Sequence, residues 1–215
     1  LEQEFIRLLC EQGYEYLPIH TEKDLIANLR KKLEELNNYQ FSDTEWDDFF
    51  KNAVANPNEH IVEKTRKIQE DNVQVLTRDD GSSKNITLID KKNIHNNRLQ
   101  VINQYKVNAA TGIREGSLGC VIGTENGAKH DNRYDVTILV NGLPLVHIEL
   151  KRRGVAIREA FNQINRYQRD SFWAGCGLYE YIQIFVISNG TNTKYYSNST
   201  RRNAEKEHEK RGASK

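Results

Sequence analysis

The stretch YDVTILVNGLPLVHIELK, residues 134–151, decides how the rest of the sequence is interpreted. Runs of β-branched and large apolar residues flank Asn141-Gly142, a dipeptide with a strong preference for tight hairpin turns. The pattern predicts two antiparallel strands, Tyr134 to Val140 and Leu145 to Lys151, joined at this turn.

Three polar side chains interrupt the apolar pattern of this hairpin. Alternation along the second strand places Glu149 and Lys151 on one face and the apolar residues between them on the other. A three-residue loop at 141–143 would place Asp135 opposite Glu149, with Cβ atoms about 5 Å apart. Two carboxylates and one ammonium group would then share a patch at the open end of the hairpin.

Two opposed carboxylates repel each other, so the pair needs a cation or a raised pKa. A hard divalent ion such as Mg²⁺ fits, because it takes oxygen ligands and keeps waters available for chemistry. The backbone carbonyl of Leu150 could complete its coordination, and Lys151 could hold an attacking water or stabilise charge on a phosphate. An acid two residues before a lysine is common, but acids inside apolar strands are unfavourable, which favours a functional interpretation.

Composition indicates a soluble globular protein, with 37% hydrophobic and 28% charged residues. The formal net charge is +1, so the net charge of the whole chain does not predict a nucleic-acid partner, but the local distribution of charge is uneven. Residues 151–169 contain one acid, Glu159, and six basic residues: Lys151, Arg152, Arg153, Arg158, Arg166 and Arg169. Such a stripe faces either phosphates or solvent. We take Arg152, Arg153 and Arg166 as candidate DNA contacts.

The cysteines and histidines offer no alternative site. Cys10, Cys120 and Cys176 are odd in number and far apart, and no zinc-ligand spacing occurs among them or the six histidines. The pattern favours a reduced, cytoplasmic compartment. No apolar run is long enough to span a bilayer and no secretory leader is evident, so we expect no membrane partner.

Hydrophobic periodicity predicts helices before and after a strand-rich region. The predicted helices are Leu1 to Glu11, Thr21 to Asn37, one that begins with a capping box at Ser42, Ile61 to Ile68, and Val155 to Asp170. Besides the hairpin, the predicted strands are Val73 to Leu76, Ile86 to Ile89, Leu99 to Val107, Tyr181 to Ser188 and an edge at Lys194 to Ser197. Residues 108–132, with five glycines, are predicted as a loop, and the charged residues 201–215 as a linker or tail.

The segment from Asn132 to Lys151 closely resembles the N-terminal nuclease domain of the R subunit of type I restriction enzymes, which carries the PD-(D/E)xK motif. The following segment, Val155 to Tyr167, contains the Gln-x-x-x-Tyr motif of that family. Gln163 and Tyr167 are neighbours on one helix face. Segments at 1–17, 88–93 and 185–191 are similar to the same family, so the resemblance covers nearly the whole chain.

This resemblance implies that Asp135 and Glu149 bind Mg²⁺, that Lys151 is the catalytic lysine, and that Gln163 and Tyr167 support DNA binding or cleavage. An acid from the first helix often joins the site in this superfamily; Glu2 and Glu4 are the candidates. Their alternative is a solvent-facing position near a helix N-terminus. The alternative for Gln163 and Tyr167 is packing of the helix on the sheet.

We therefore expect an α/β fold with a mixed central β-sheet flanked by helices, restriction-endonuclease-like, with a helical elaboration over about 1–70 that caps one side and a nuclease core over about 73–198. The expected function is metal-dependent hydrolysis of phosphodiester bonds in double-stranded DNA without sequence choice of its own. By resemblance, the methylase and specificity subunits are partners of the full-length protein. ATP belongs to its motor domain, since no phosphate-binding loop motif occurs here.

Two alternatives remain at this point. One is a non-enzymatic module that docks to the motor and methylase subunits through first helices remote from the triad. The other is a stand-alone structure-specific nuclease.

His147 alternates onto the active-site face, where it either contacts DNA or is a hydrogen-bonded surface histidine. Trp46 and Trp173 are interpreted as packing residues.

Overall fold

The computed structural model describes residues 1–107, 132–172 and 176–198. Its helices are α1 (Glu2–Glu11), α2 (Glu22–Asn37), α3 (Asp43–Phe49), α4 (Ile61–Gln69) and α5 (Ile157–Asp170). Its strands are β1 (Glu15–Tyr16), β2 (Val73–Thr77), β3 (Ser83–Thr87), β4 (Leu99–Val107), β5 (Asn132–Val140), β6 (Leu143–Leu150), β7 (Ile184–Ser188) and β8 (Thr193–Ser197). A π-helical turn at Phe50–Val54 extends α3, and 3₁₀ turns occur at Ile94–Asn96 and Leu178–Tyr181.

Six strands form one mixed sheet in the order β1-β4-β5-β6-β7-β8, and β2 and β3 form a separate two-stranded sheet. The pairs β1·β4 and β6·β7 are parallel, and the other neighbours in the large sheet are antiparallel. The connection from β6 to β7 contains α5, as a parallel pair requires a crossover. The predicted α/β architecture with a mixed central sheet is confirmed.

The helix ends follow local capping chemistry. The Thr21 side chain accepts a hydrogen bond from the Asp24 amide to begin α2, and Asn38 ends it in the left-handed conformation. The predicted capping box is present at α3, where Ser42 and Glu45 each accept from the other's backbone amide. Gly13, with φ +93°, follows the end of α1.

Some element bounds differ from the prediction. The third strand begins at Ser83 rather than at Ile86, because pairing with β2 in a hairpin extends it through polar residues. The predicted strand from Tyr181 begins only at Ile184, since the residues before it form a buried 3₁₀ turn. The predictions for 108–131 and for 201–215 lie outside the described residues.

The helices lie on both faces of the sheet. Ile6 and Leu9 of α1 pack with Val101, Val136 and Ile148 on one face. A larger cluster on the other face joins the inward residues of α2, α3 and α5 to the sheet, including Leu29, Trp46, Ile164, Leu139 and Phe185. The expectation that the N-terminal helices cap one side was therefore wrong for α1, which covers the opposite face from α2 and α3.

The β5–β6 hairpin has a two-residue turn and a β-bulge. Asn141 and Gly142 both have positive φ (50° and 84°), the conformation of a type I′ turn. Val140 pairs with Leu143, so the predicted three-residue loop was wrong. One extra residue in β6, Leu145, then shifts the register between Ile138 and Leu139 and restores the pairing expected toward the open end.

Candidate active site

The two acids of the hairpin meet at its open end. Val136 pairs with Ile148 as the last pair of the β5–β6 ladder, and Asp135 and Glu149 are the next residues of the two strands. The Asp135 Oδ2 atom accepts a hydrogen bond of 2.9 Å from the backbone amide of Leu150. This bond fixes the Asp135 carboxylate across the strand pair, beside Glu149.

Glu149 is fully buried, yet only one of its oxygens is satisfied. Its Oε1 atom accepts a hydrogen bond of 2.9 Å from the Lys151 ammonium group. Its Oε2 atom is buried and has no hydrogen-bond partner among the described residues. A buried carboxylate oxygen without a donor is costly, so this atom needs a cation or water that the protein itself does not supply.

The environment of Asp135 disfavours its charged form. Burial, followed by repulsion from Glu149, raises the pKa of Asp135 to about 7; the Leu150 amide and Lys151 oppose this shift. Glu2 of α1 adds to the repulsion. At neutral pH the Asp135 carboxyl group is therefore less fully ionised than an ordinary aspartate. A bound cation would offset the repulsion between the two acids.

A chain of hydrogen bonds runs from Lys151 through α5 to β5. The Lys151 ammonium group donates to Gln163 Oε1, and Gln163 Nε2 donates to the Tyr167 hydroxyl. The Tyr167 hydroxyl then donates to the backbone carbonyl of Arg133, 3.0 Å away, two residues before Asp135. Burial, together with the nearby carboxylates, raises the pKa of Tyr167 to about 12, so its hydroxyl stays a donor. This series of hydrogen bonds fixes the Lys151 side chain relative to Asp135 and Glu149.

His147 lies beside this chain but not on the surface. It is fully buried, and its ring contacts the rings of Tyr134, Tyr167 and Phe172. Its Nε2 atom lies 3.6 Å from Glu149 Oε2, and neither ring nitrogen has a hydrogen-bond partner among the described residues. The expectation of a surface histidine or a DNA contact was wrong, because α5 and the residues after it cover this face of β6.

The two acids of α1 have different positions. Glu2 is half-buried, accepts hydrogen bonds of 2.6 Å from the side chains of Asn103 and Gln104 in β4, and acts electrostatically on Asp135. Glu4 is exposed and pairs with Arg7 at 2.7 Å, which lowers the pKa of Glu4. Glu2 is thus the α1 acid that lies near the pair, while Glu4 faces solvent.

The candidate DNA-contacting arginines are all exposed. Arg152 and Arg166 line an open polar cleft that also includes Lys151 and Gln163. The Arg166 guanidinium lies 5.6 Å from the centre of the Tyr167 ring. Arg153 lies apart from this cleft, beside Gly190. Two of the three arginines can therefore meet a phosphate near the triad.

The donor set fits a hard divalent cation. All the candidate ligand atoms are oxygens, from the side chains of Asp135 and Glu149 and the backbone carbonyl of Leu150. Glu149 Oε2 has no hydrogen-bond partner among the described residues. Within the described ranges, no group of three or more His, Cys, Asp or Glu side chains is placed to hold a metal ion. These residues would thus supply a few ligands and leave other positions to water, as Mg²⁺ prefers.

Asn103 and Gln104 were not predicted as residues of the site. Their signal was present, because two consecutive amides interrupt the otherwise apolar run from Leu99 to Val107. Alternation could assign one of the two to each face, but it could not show that both amides meet Glu2.

Asp135, Glu149 and Lys151 lie at the open end of a central hairpin, in a mixed sheet with helices on both faces. These features define the restriction-endonuclease-like class of folds, with its PD-(D/E)xK arrangement. The chain belongs to the family described as Type I restriction enzyme R protein N terminus, which matches residues 1–204. The resemblance drawn from the motifs is confirmed.

Three relatives illustrate this membership. The chain is 49% identical over 203 residues to the type I restriction enzyme EcoprrI endonuclease subunit of Escherichia coli, with 94% of this chain and 59% of the relative covered. It is 37% identical over 204 residues to the SsaAORF53P endonuclease subunit of Staphylococcus saprophyticus, with 93% and 19% covered. For the HindI endonuclease subunit of Haemophilus influenzae, identity is 28% over 212 residues, with 88% and 18% covered.

The chain thus spans about three fifths of the first of these relatives and less than a fifth of the others. In the described part of the chain, no helix is long and apolar enough to cross a membrane.

Proposed function

We propose that this chain is the nuclease domain of a type I restriction enzyme R subunit, and that it hydrolyses phosphodiester bonds of double-stranded DNA with Mg²⁺. The observation that carries the proposal is Glu149: a fully buried carboxylate with one oxygen on Lys151 and the other without a partner among the described residues, beside Asp135. A structural ion pair between Glu149 and Lys151 needs no second acid, whereas one or two carboxylates are the usual protein ligands of Mg²⁺. The relatives, named as endonuclease subunits, support the same assignment.

A bound Mg²⁺ would polarise the scissile phosphate and lower the pKa of the attacking water. Asp135, Glu149 and the Leu150 carbonyl would hold the cation at the hairpin end. The Lys151 ammonium group, fixed by Gln163, would donate to the phosphate oxygen on which negative charge develops. Tyr167 would keep Gln163 oriented through its bond to the Arg133 carbonyl.

The DNA would reach this site along the cleft that Arg152 and Arg166 line. Guanidinium groups bind backbone phosphates without reading bases, so this surface would position a duplex without choosing its sequence. One hairpin site cuts one strand, so cleavage of both strands requires two sites or two binding events.

In the full-length protein we expect sequence choice from the methylase and specificity subunits, ATP use by a motor domain, and a cytoplasmic location.

Calorimetric titration with Mg²⁺ and Mn²⁺ tests this proposal. The expected result is binding by the 215-residue chain and its loss in Asp135→Ala and in Glu149→Ala. Glu4→Ala is the matched control, because it removes an exposed acid from α1 and should leave the affinity unchanged. Absence of binding, or unchanged binding in both hairpin variants, would refute the metal site.

The docking-module alternative is weakened by the position of α1. That alternative placed an interface on first helices remote from the triad, but Ile6 and Leu9 of α1 pack on the hairpin, and Glu2 acts on Asp135. Helix α1 therefore packs against the hairpin and is not remote from the triad.

A further inference from the structure

Gln104 has a backbone conformation that its position in the sheet does not explain. It lies inside β4 and, with Asn103 paired to Val136 and Tyr105 paired to Tyr134, faces Asp135 across the strand pair. Its φ is +53°, in the left-handed region that residues other than glycine, asparagine and aspartate rarely occupy. Residues held in this region cost free energy, and they cluster at functional sites.

The consequence of this conformation is a pair of amides aimed at one carboxylate. Asn103 Nδ2 donates to Glu2 Oε1 and Gln104 Nε2 donates to Glu2 Oε2, each at 2.6 Å. In a regular strand, consecutive side chains point to opposite faces and could not bind the same group. The left-handed residue breaks this alternation, so both donors reach the α1 side of the sheet.

Further contacts make the arrangement specific. The Tyr16 hydroxyl in β1 donates to Asn103 Oδ1 at 3.0 Å, which leaves the Asn103 amide nitrogen free to point at Glu2. The Gln104 Oε1 atom is buried and has no hydrogen-bond partner among the described residues. The protein thus tolerates backbone strain and an unpartnered oxygen to keep the Gln104 amide nitrogen on the Glu2 carboxylate.

We propose that Asn103 and Gln104 are positioning residues that hold the Glu2 carboxylate beside Asp135, so that Glu2 supports the bound cation from the α1 side. This inference rests on the proposed function, since it assigns the two amides to the same metal site. Helix α1, which carries Glu2, packs on Val136 and Ile148, the residues next to Asp135 and Glu149 in the hairpin. Because no group of three acids is placed to hold a metal ion among the described residues, Glu2 would add negative charge beside the cation and would not be a third direct ligand.

The main test is Mn²⁺ titration of the 215-residue chain carrying Gln104→Asn. Asparagine tolerates the left-handed conformation and keeps the amide, but it is one methylene too short to reach Glu2. We expect Mn²⁺ affinity to fall about tenfold, as for other residues that orient metal ligands, with an unchanged urea midpoint. Gln104→Gly, which relieves the backbone strain, should give the same loss of affinity without a lower midpoint.

Gln100→Asn is the matched control. Gln100 lies in the same strand and also donates to a carboxylate, Glu15 Oε2, at 3.0 Å, but at the end of β4 away from Asp135. This variant should retain the wild-type affinity for Mn²⁺. If Gln100→Asn weakens Mn²⁺ binding as much as Gln104→Asn does, the effect is a general loss of β4 structure and the inference is wrong.

The double variant with Glu2→Gln separates positioning from structure. If Gln104 acts through Glu2, then Gln104→Asn weakens Mn²⁺ binding no further when Glu2 is already Gln. Losses that multiply, or a Gln104→Asn chain that binds Mn²⁺ like wild type while Glu149→Ala does not, would overturn this inference and leave the proposed function intact. No binding by the wild-type chain would overturn both.

Discussion

At the turn end of the β5–β6 hairpin, the Asn141 side chain makes three hydrogen bonds, to Leu88, Asn97 and Arg98. At the open end, about six residues along each strand, a buried Glu149 oxygen has no partner among the described residues and Asp135 has a strongly raised pKa. The Asn141 side chain at the turn end therefore has several hydrogen-bond partners, whereas the buried Glu149 oxygen at the open end has none among the described residues. The contrast indicates that the turn end stabilises the fold, and it supports our proposal that the open end binds a ligand.

Removal of Lys151 should have the largest effect at the open end. Lys151→Met leaves Glu149 buried without its cation, so we expect a loss of about 3–5 kcal/mol of metal-free stability. DNA cleavage should fall by about 10²–10³-fold, because a donor to the developing charge is lost. Urea unfolding and plasmid nicking measure the two effects.

The exposed Lys106 of β4 provides the control for this change, since Lys106→Met removes a lysine without uncovering a buried acid. Mn²⁺ should stabilise Lys151→Met more than it stabilises the wild type, because the ion replaces the missing positive charge. A Lys151→Met chain as stable as wild type without metal would contradict the view that Glu149 depends on this cation.

The turn end should respond to Gly142→Ala through stability alone. A Cβ atom at this position would lie 2.6 Å from the Leu29 Cα of α2, and the φ of +84° is unfavourable for alanine. We expect a loss of about 2–4 kcal/mol in urea unfolding, since two backbone segments must separate. Mn²⁺ affinity of the folded fraction should be retained.

Gly81→Ala is a suitable reference, because Gly81 also has a positive φ but an added Cβ there meets nothing within 4 Å. It isolates the backbone strain from the clash and should cost about 1 kcal/mol. Equal losses at both glycines would mean that the contact with Leu29 does not matter, and a selective loss of Mn²⁺ affinity in Gly142→Ala would remove the contrast between the two ends.

Asp135→Asn should stabilise the metal-free chain at neutral pH. The folded pKa of Asp135 lies above its ordinary value of 3.8, so ionisation disfavours the folded state as pH rises from about 4 to 7. Asparagine keeps the bond from the Leu150 amide and carries no charge. We expect a gain of about 1–2 kcal/mol at pH 8, less than the full shift implies because the carboxyl is partly exposed, and almost none at pH 4.

Urea unfolding of both chains across this pH range measures the difference. Mn²⁺ should reverse the order, because it stabilises the wild type and finds no carboxylate pair in the variant. A variant less stable than wild type at pH 8 without metal would show that the two acids do not repel in the folded state.

The sequence predicted the hairpin partly through two errors that cancelled. A three-residue loop and a two-residue turn with one bulged residue give the same register from Ile138 and Val146 to Val136 and Ile148. Alternation cannot detect a bulge such as Leu145, because an extra apolar residue between apolar neighbours leaves no mark in the pattern. The element types were predictable because the periodicities of α1, α2 and α5 are strong.

The burial of His147 and the amides on Glu2 could not be predicted in the same way. Both depend on which element covers a strand face: α5 and the residues after it enclose His147, and α1 brings Glu2 to Asn103 and Gln104. Such contacts join positions about 25 to 100 residues apart, and local pattern carries no information about them. Placement of Asp135 beside Glu149 needed only the pairing within one hairpin.

The smallest effect should come from Tyr167→Phe, which probes how the open end is held together. The change removes the hydroxyl that joins Gln163 to the Arg133 carbonyl, so Lys151 keeps its charge but loses an oriented partner. We expect a stability loss of about 1 kcal/mol and a cleavage rate about tenfold lower, with unchanged Mn²⁺ affinity. Tyr181→Phe also removes one hydroxyl-to-carbonyl bond, to Val54 at 2.8 Å, but far from the triad. Similar stability losses with a slower rate in Tyr167→Phe alone would assign this hydroxyl to Lys151, whereas equal rates would limit it to packing.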